Sequence, residues 1–146
     1  MEASLYEGEA AIIQRLEERV KAPFSLRKVI DDIDLKTVKM NAITADALVV
    51  TSLPMVLGQA DRESVIVEPR WQVVVVTENI NAKRAQAARD LAGQIALAVI
   101  RNLIGWQPAS SLGPIKLRQV PQRAYTTNRI FVPLVFGAPT SIDATP

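Results

Sequence analysis

Cysteine and histidine are both absent from this chain of 146 residues. The first absence excludes disulfides and thiolate metal sites and fits a reducing compartment. The second removes the commonest general base, the commonest zinc ligand and every Ser-His or Cys-His nucleophile pair. An enzyme built on this chain would have to work with Asp, Glu, Lys, Ser or Tyr. Aromatics are few, at two Trp, two Tyr and three Phe, which is thin for a protein that stacks bases. The six glycines (8, 58, 93, 105, 113, 137) are dispersed and make neither GxGxxG nor GxxxxGK[ST], so no phosphate loop is present. No long apolar run occurs either. The most apolar window, near 91–104, is broken by Gln94, Arg101 and Asn102 and is too short and polar to span a bilayer. "MEASLYEGEA" carries no basic–apolar–cleavage pattern, so a soluble, cytoplasmic domain without membrane contact is expected.

The length suits one domain with a proper core. Net charge is +2, from 17 basic and 15 acidic residues, too balanced to argue for nucleic acid.

Apolar residues recur along Leu5–Lys21 at Ile12, Leu16 and Val20, the spacing of an amphipathic helix, and Pro23 is expected to end it. "FSLRKVI" alternates well enough for a short strand. Asp31–Asp46 reads as a loop, with an extended piece near Thr37–Ile43. The β-branched run Asp46–Pro54 predicts a strand, Gly58–Glu63 a turn, and "SVIVEPRWQVVVVTEN" one long strand or two joined at Glu68-Pro69. A proline there calls for an edge, a bulge or a bend. Val73–Val76, apolar at consecutive positions, predicts a strand covered on both faces, by helices on one side and a second subunit on the other.

Asn81 is placed to cap a helix over Ala82–Leu103. Leu91, Ile95, Val99 and Leu103 make its main stripe, and Leu97 and Ile104 widen the apolar arc beyond what one sheet face needs. Two strands follow, Ile115–Val120 and Arg129–Phe136, the second with Ile130, Val132, Leu134 and Phe136 on one face. The resulting class is α+β: two helices packed on one face of a mainly antiparallel, mixed sheet. A single domain over 1–138 is expected, with a flexible tail over 139–146.

The chemistry-bearing residues are sparse. "DDID" (Asp31–Asp34) lacks the ligand spacing and glycine of an EF-hand and reads better as a solvated acidic loop than as a metal site. Asp61-Arg62-Glu63 reads as a hairpin tip. Lys116, Arg118, Arg123 and Arg129 gather near Tyr125, which fits a protein interface or solvated face better than a single-strand binder. In "RNLIGWQP" Gly105 is set to close the long helix in the left-handed conformation. Trp106 then packs back on Ile100 or Arg101, and Pro108 forbids helix. No catalytic residue, metal or cofactor is assigned.

The order of helix and strands, "WQVVVVTEN", and a long Ala-rich helix leaving through "LIGWQP" resemble the tail terminator (tail-completion) proteins of Mu-like phages, over Trp71–Phe136. The resemblance implies a structural protein that forms a ring, a hexamer, on the head-proximal end of the tail tube. It would end polymerisation and offer the head-joining surface, with no cofactor and no sequence-specific nucleic-acid binding. Implied partners are other copies of itself, the tail tube protein, a sheath in contractile tails, and a head-completion or neck protein. The implied location is the virion tail, assembled in the host cytoplasm. A head–tail connector or tail-assembly adaptor is the first alternative, and a small nucleic-acid-binding domain the next. A ring of identical subunits needs two different patches on each protomer. The expected ones are the hairpin, through Leu57, Arg62, Glu63, Val65, Val67 and Glu68, and an edge formed by the final strand and its neighbours, through Arg118, Arg123, Arg129, Phe131 and Val135.

Overall fold

The computed structural model describes residues 4–31, 45–78, 85–126 and 129–145. The chain begins with α1 (Gly8–Leu16), which runs without a break through a π-helical segment (Glu17–Lys21) into a last turn, α2 (Ala22–Phe24). Pro23 therefore lies inside the helical rod instead of ending it. A proline clashes with the carbonyl four residues back and removes a donor. The wider π-helical bonding immediately before it is the usual way a helix absorbs such a defect. The rod stops at Ser25, which is left-handed at φ 54°. There Leu26 N–H donates to Lys21 O at 2.9 Å and Ser25 N–H to Ala22 O at 3.2 Å. Those two bonds are the Schellman pattern, with serine in the place glycine usually takes.

Among the described residues, seven strands form one sheet: β1 (Lys28–Ile30), β2 (Ala47–Ala60), β3 (Ser64–Glu78), β4 (Lys116–Gln119), β5 (Ala124–Tyr125), β6 (Arg129–Gly137) and β7 (Thr140–Asp143). Its order is β1-β2-β3-β6-β4, with β5 beside β6 and β7 beside β3. Only β1–β2 is parallel, so the sheet is mixed and mainly antiparallel. Parallel neighbours need a crossover connection. The loop expected at 31–46 lies, apart from Asp31, Ala45 and Asp46, outside the described residues, as does the expected cap Asn81. The second long helix, α3, is described over Ala85–Leu103. No helix among the described residues is long and apolar enough to cross a membrane.

The α1 rod and α3 cover one face of the sheet. Ile12, Leu16 and Val20 from the rod, and Ala92, Ile95, Val99 and Leu103 from α3, meet Leu48, Val50, Val73, Val75 and the inward face of β6. That face is Ile130, Val132, Leu134 and Phe136, the alternation expected from the sequence. The opposite face carries a smaller cluster of Ile30, Ala47, Val49, Val76 and Phe131, with Val74 against it. Val73–Val76 is thus covered on both faces, but Val76 is already fully buried within one chain. Val74, on the same face, stays half-buried.

β3 is one continuous strand of 15 residues. Pro69 is absorbed by a bulge: Pro54 and Met55 of β2 stand against it, between the pairs Leu53–Arg70 and Val56–Glu68. A second bulge sets Gly58 and Gln59 against Ile66. Bulges bend the strand that carries them and increase its twist.

Two expectations change at the C-terminal end. β6 is not an edge strand: β3 lies along one side, and β4 and β5 along the other. Pro133 falls between the residues paired to β5 and those paired to β4. A missing N–H costs least at such a gap. Residues 140–143, assigned from sequence to a flexible tail, instead form β7 on β3. Arg70 faces Gly137 and Val67 faces Thr140, three residues further along both strands. β7 therefore continues β6 in the same register. Ala138 N–H donating to Pro69 O at 3.0 Å bridges the step between them.

Candidate assembly surface

The β2–β3 hairpin runs well past the part of the sheet that the helices cover. From Val56 to Glu63 every residue is exposed, and Leu57 keeps 69% of its surface in water. With β7 against the other side of β3, these strands make a three-stranded arm. Its tip is built around Asp61. One carboxylate oxygen, Oδ1, accepts from the N–H groups of Glu63 and Ser64, both at 2.8 Å, while Asp61 N–H donates to Ser64 O at 2.9 Å. This is the local carboxylate turn that favours Asp at such corners. The backbone N–H groups of Glu63 and Ser64 hold the Asp61 carboxyl below the ordinary carboxylate range, so it is ionised at neutral pH. Glu63 is beside it, and Asp143 of β7 faces Ser64 across the ladder. The tip therefore gathers three carboxylates against one cation, Arg62.

At the base of the arm Glu68 is 6% exposed and lies between two arginines. Arg118 of β4 donates through Nε at 3.0 Å and through Nη2 to Oε1, and Arg70 donates through Nε to Oε2. Gly137 leaves room for this carboxylate, since a Cβ there would stand 2.5 Å from Oε2. Burial pushes the Glu68 carboxyl up. Hydrogen bonds from Arg118 and Arg70, with their charges, outweigh that and hold it below the ordinary range.

The far side of the sheet ends in β4 and β5. Lys116, Arg118 and Arg123 are exposed there, with Val120 and Tyr125 exposed among them at 57% and 50%. The Arg123 guanidinium stands 6.0 Å from the centre of the Tyr125 ring.

The helix exit is more firmly tied than the sequence indicated. Gly105 is left-handed, at φ 76°, as expected. Its N–H, however, donates to Ile115 O at 2.8 Å, and Trp106 O accepts from Ile115 N–H at 3.0 Å. The helix end is thus sewn to the segment before β4, while Trp106 N–H still closes on the last turn by donating to Leu103 O at 3.2 Å. Trp106 is half-buried against the main core. Arg15 lies 4.6 Å from the centre of its ring and donates through Nε to Asn102 O at 2.6 Å. A cation at the C-terminal carbonyls of a helix is favourable, so Arg15 fastens α1 to the end of α3. Pro108 is buried in the loop that follows. Trp106→Ala is expected to cost about 1–2 kcal/mol through lost packing and the lost ring–cation contact. Thermal unfolding should move while the mass of any assembly does not; the reverse result would give Trp106 a contact role.

The residues singled out from sequence divide clearly. Leu57, Arg62 and Glu63 lie on the arm, and Arg118 and Arg123 on the basic edge, all exposed. Val65, Val67 and Arg129 are half-buried. Glu68, Phe131 (3% exposed) and Val135 are buried within the chain and present no surface to a neighbour. Phe131 and Val135 were misplaced because β6 had been read as an edge, and Glu68 because its partner Arg118 is 50 residues away. Sequence reasoning placed Tyr125 beside the basic residues but missed Arg70, Asp143 and the exposed Val120. Arg70 had a legible signal: it stands two residues after Glu68, on the same face of a strand.

The arrangement is one of surfaces. Among the described residues no group of three or more His, Cys, Asp or Glu is placed to hold a metal ion, and the "DDID" stretch lies outside them except for Asp31. No curated protein matches the chain. Among solved structures, a chain in the structure of the virion of a native gene transfer agent particle aligns with a TM-score of 0.61 and 18% sequence identity. The alignment covers 95% of this chain and 100% of that one, and at that identity it establishes the fold. The sequence model for phage tail terminator proteins matches residues 1–144, and the match is to that family as a whole, without singling out its Mu-like members. With nearly the full length matched and the same α+β core, the chain belongs to the phage tail terminator family.

Proposed function

We propose that this tail-terminating structural protein closes the head-proximal end of the tail tube as a ring of identical copies, six by its resemblance to Mu-like terminators. The ring ends polymerisation of the tube and presents the surface to which a head-completion or neck protein binds. In a contractile tail it also meets the sheath. Its working place is the virion tail, and it is assembled there in the host cytoplasm. The reading rests on the family match over residues 1–144. Likeness of fold to a chain from a gene transfer agent virion supports a place within a multi-protein particle. A structural role needs no cofactor and no catalytic group, and the exposed arm and basic edge are the kind of paired, different patches that a heterologous ring requires.

Particles made without this protein test the proposal directly. Electron microscopy should show tubes of irregular length and heads left unjoined. Tails of uniform length joined to heads would overturn it.

A further inference from the structure

We propose that successive copies of this chain meet through the acidic arm tip of one and the basic β4–β5 edge of the next. This rests on the ring reading above and adds to it which two patches join. The two surfaces are complementary in charge. Asp61, Glu63 and Asp143 at the tip would meet Lys116, Arg118 and Arg123 at the edge. They are also matched in character, because each carries exposed apolar side chains on the same arm or edge as its charges. On the arm this is Leu57, 69% exposed; on the edge these are Val120 and Tyr125. Exposed ion pairs contribute little affinity by themselves, so the apolar contact holds the copies together. The charges choose the partner and speed the encounter.

The patches also differ from one another in shape and position. The tip is a hairpin end, and the edge is the last strand of the sheet path. Two tips repel, and so do two edges, which leaves only the head-to-tail contact that builds a ring or a filament. Glu68 contributes as a positioning residue: it pins Arg118 by two hydrogen bonds while the arginine side chain stays a third exposed. Arg118 is thereby presented at the edge with little side-chain freedom left to lose on binding.

The absence of cysteine makes the test simple. Glu63→Cys and Arg123→Cys are made as separate full-length variants, with Leu97→Cys on the exposed side of α3 as a third. Thermal unfolding confirms that each is folded. Treated with a short bismaleimide, an equal mixture of the first two should give a covalent dimer. Neither should do so alone, and neither should join to Leu97→Cys. The chain carrying both substitutions should give a ladder of covalent multimers, in solution or on isolated tails, and the yield should fall several-fold at high salt. Absence of the mixed dimer both in solution and on tails would overturn the proposal. So would Glu63→Cys joining to itself or to the tube protein. If tails lacking this protein are irregular in length while the mixed dimer never forms, the terminator reading stands and this contact falls. Uniform, head-joined tails in its absence would remove the reading beneath it.

Discussion

Replacing Gly113 by alanine is expected to lower the free energy of unfolding by about 3 kcal/mol or more, the upper range for forcing an atom into filled space. A Cβ on Gly113 would stand 2.0 Å from the carbonyl oxygen of Pro139 and 3.0 Å from its carbon. Both are backbone atoms, so no side chain can swing aside. The contact joins two parts of the chain that must stay together. Gly113 N–H donates to the Thr140 hydroxyl at 3.1 Å, and that hydroxyl donates to Ala138 O at 2.9 Å. The loop after α3 is thereby docked on the step between β6 and β7. Urea denaturation should show a lower midpoint with an unchanged slope. Amide exchange should rise first at Ser141–Asp143 and their partners on β3, since the strand nearest the clash opens most readily. A change within about 0.5 kcal/mol, the range of neutral surface substitutions, would show that the step yields easily.

The second large effect belongs to Glu68. Glu68→Ala is expected to cost roughly 2–4 kcal/mol, because it leaves Arg70 and Arg118 crowded together without their shared acceptor. Exposure of about a third of each arginine keeps the figure below that of a fully buried triad. Acid should reproduce part of this loss. The Glu68 carboxyl titrates lower in the folded chain than in the unfolded one, so its contribution is present above the unfolded value of about 4.3. It is lost as pH falls through the lower folded value. Glu68→Gln removes the linked proton, so the stability gap between wild type and this variant should shrink steadily below about pH 4. A gap that widens on acidification would reverse the assignment.

Much of the architecture was legible because it rests on period. The i, i+4 spacing of Ile12, Leu16 and Val20 and the alternation of Ile130–Phe136 each found the face they bury. What stayed hidden depended on partners distant in sequence or on competing local rules. The final strand was read as an edge, yet β4 and β5 cover the side away from β3, a pairing that no local pattern reveals. Pro23 suggested a helix stop, but widened bonding before it carries the helix on. "TSID" has too little apolar character to read as a strand; it becomes one because β3 offers an unfilled side in register with β6. Among the surface residues, the hairpin tip was found from turn chemistry, but β2 runs through Pro54 and Gly58 to Ala60, so the turn is shorter than the Gly58–Glu63 expected. The clamp around Glu68 was not found, since it joins β3 to a strand beyond α3.

The uninterrupted length of β3 also makes the arm a ruler. Fifteen residues at about 3.3 Å each span roughly 50 Å, while a folded chain of this size is only about 38 Å across. Part of the strand has to leave the globule, and the distance from core to tip is counted out in residues. Adding two residues to each side of the hairpin would carry Glu63 about 7 Å outward and keep it on the same face. Adding one to each would turn it to the opposite face. If copies join as proposed, the spacing between them would be tunable only in steps of two.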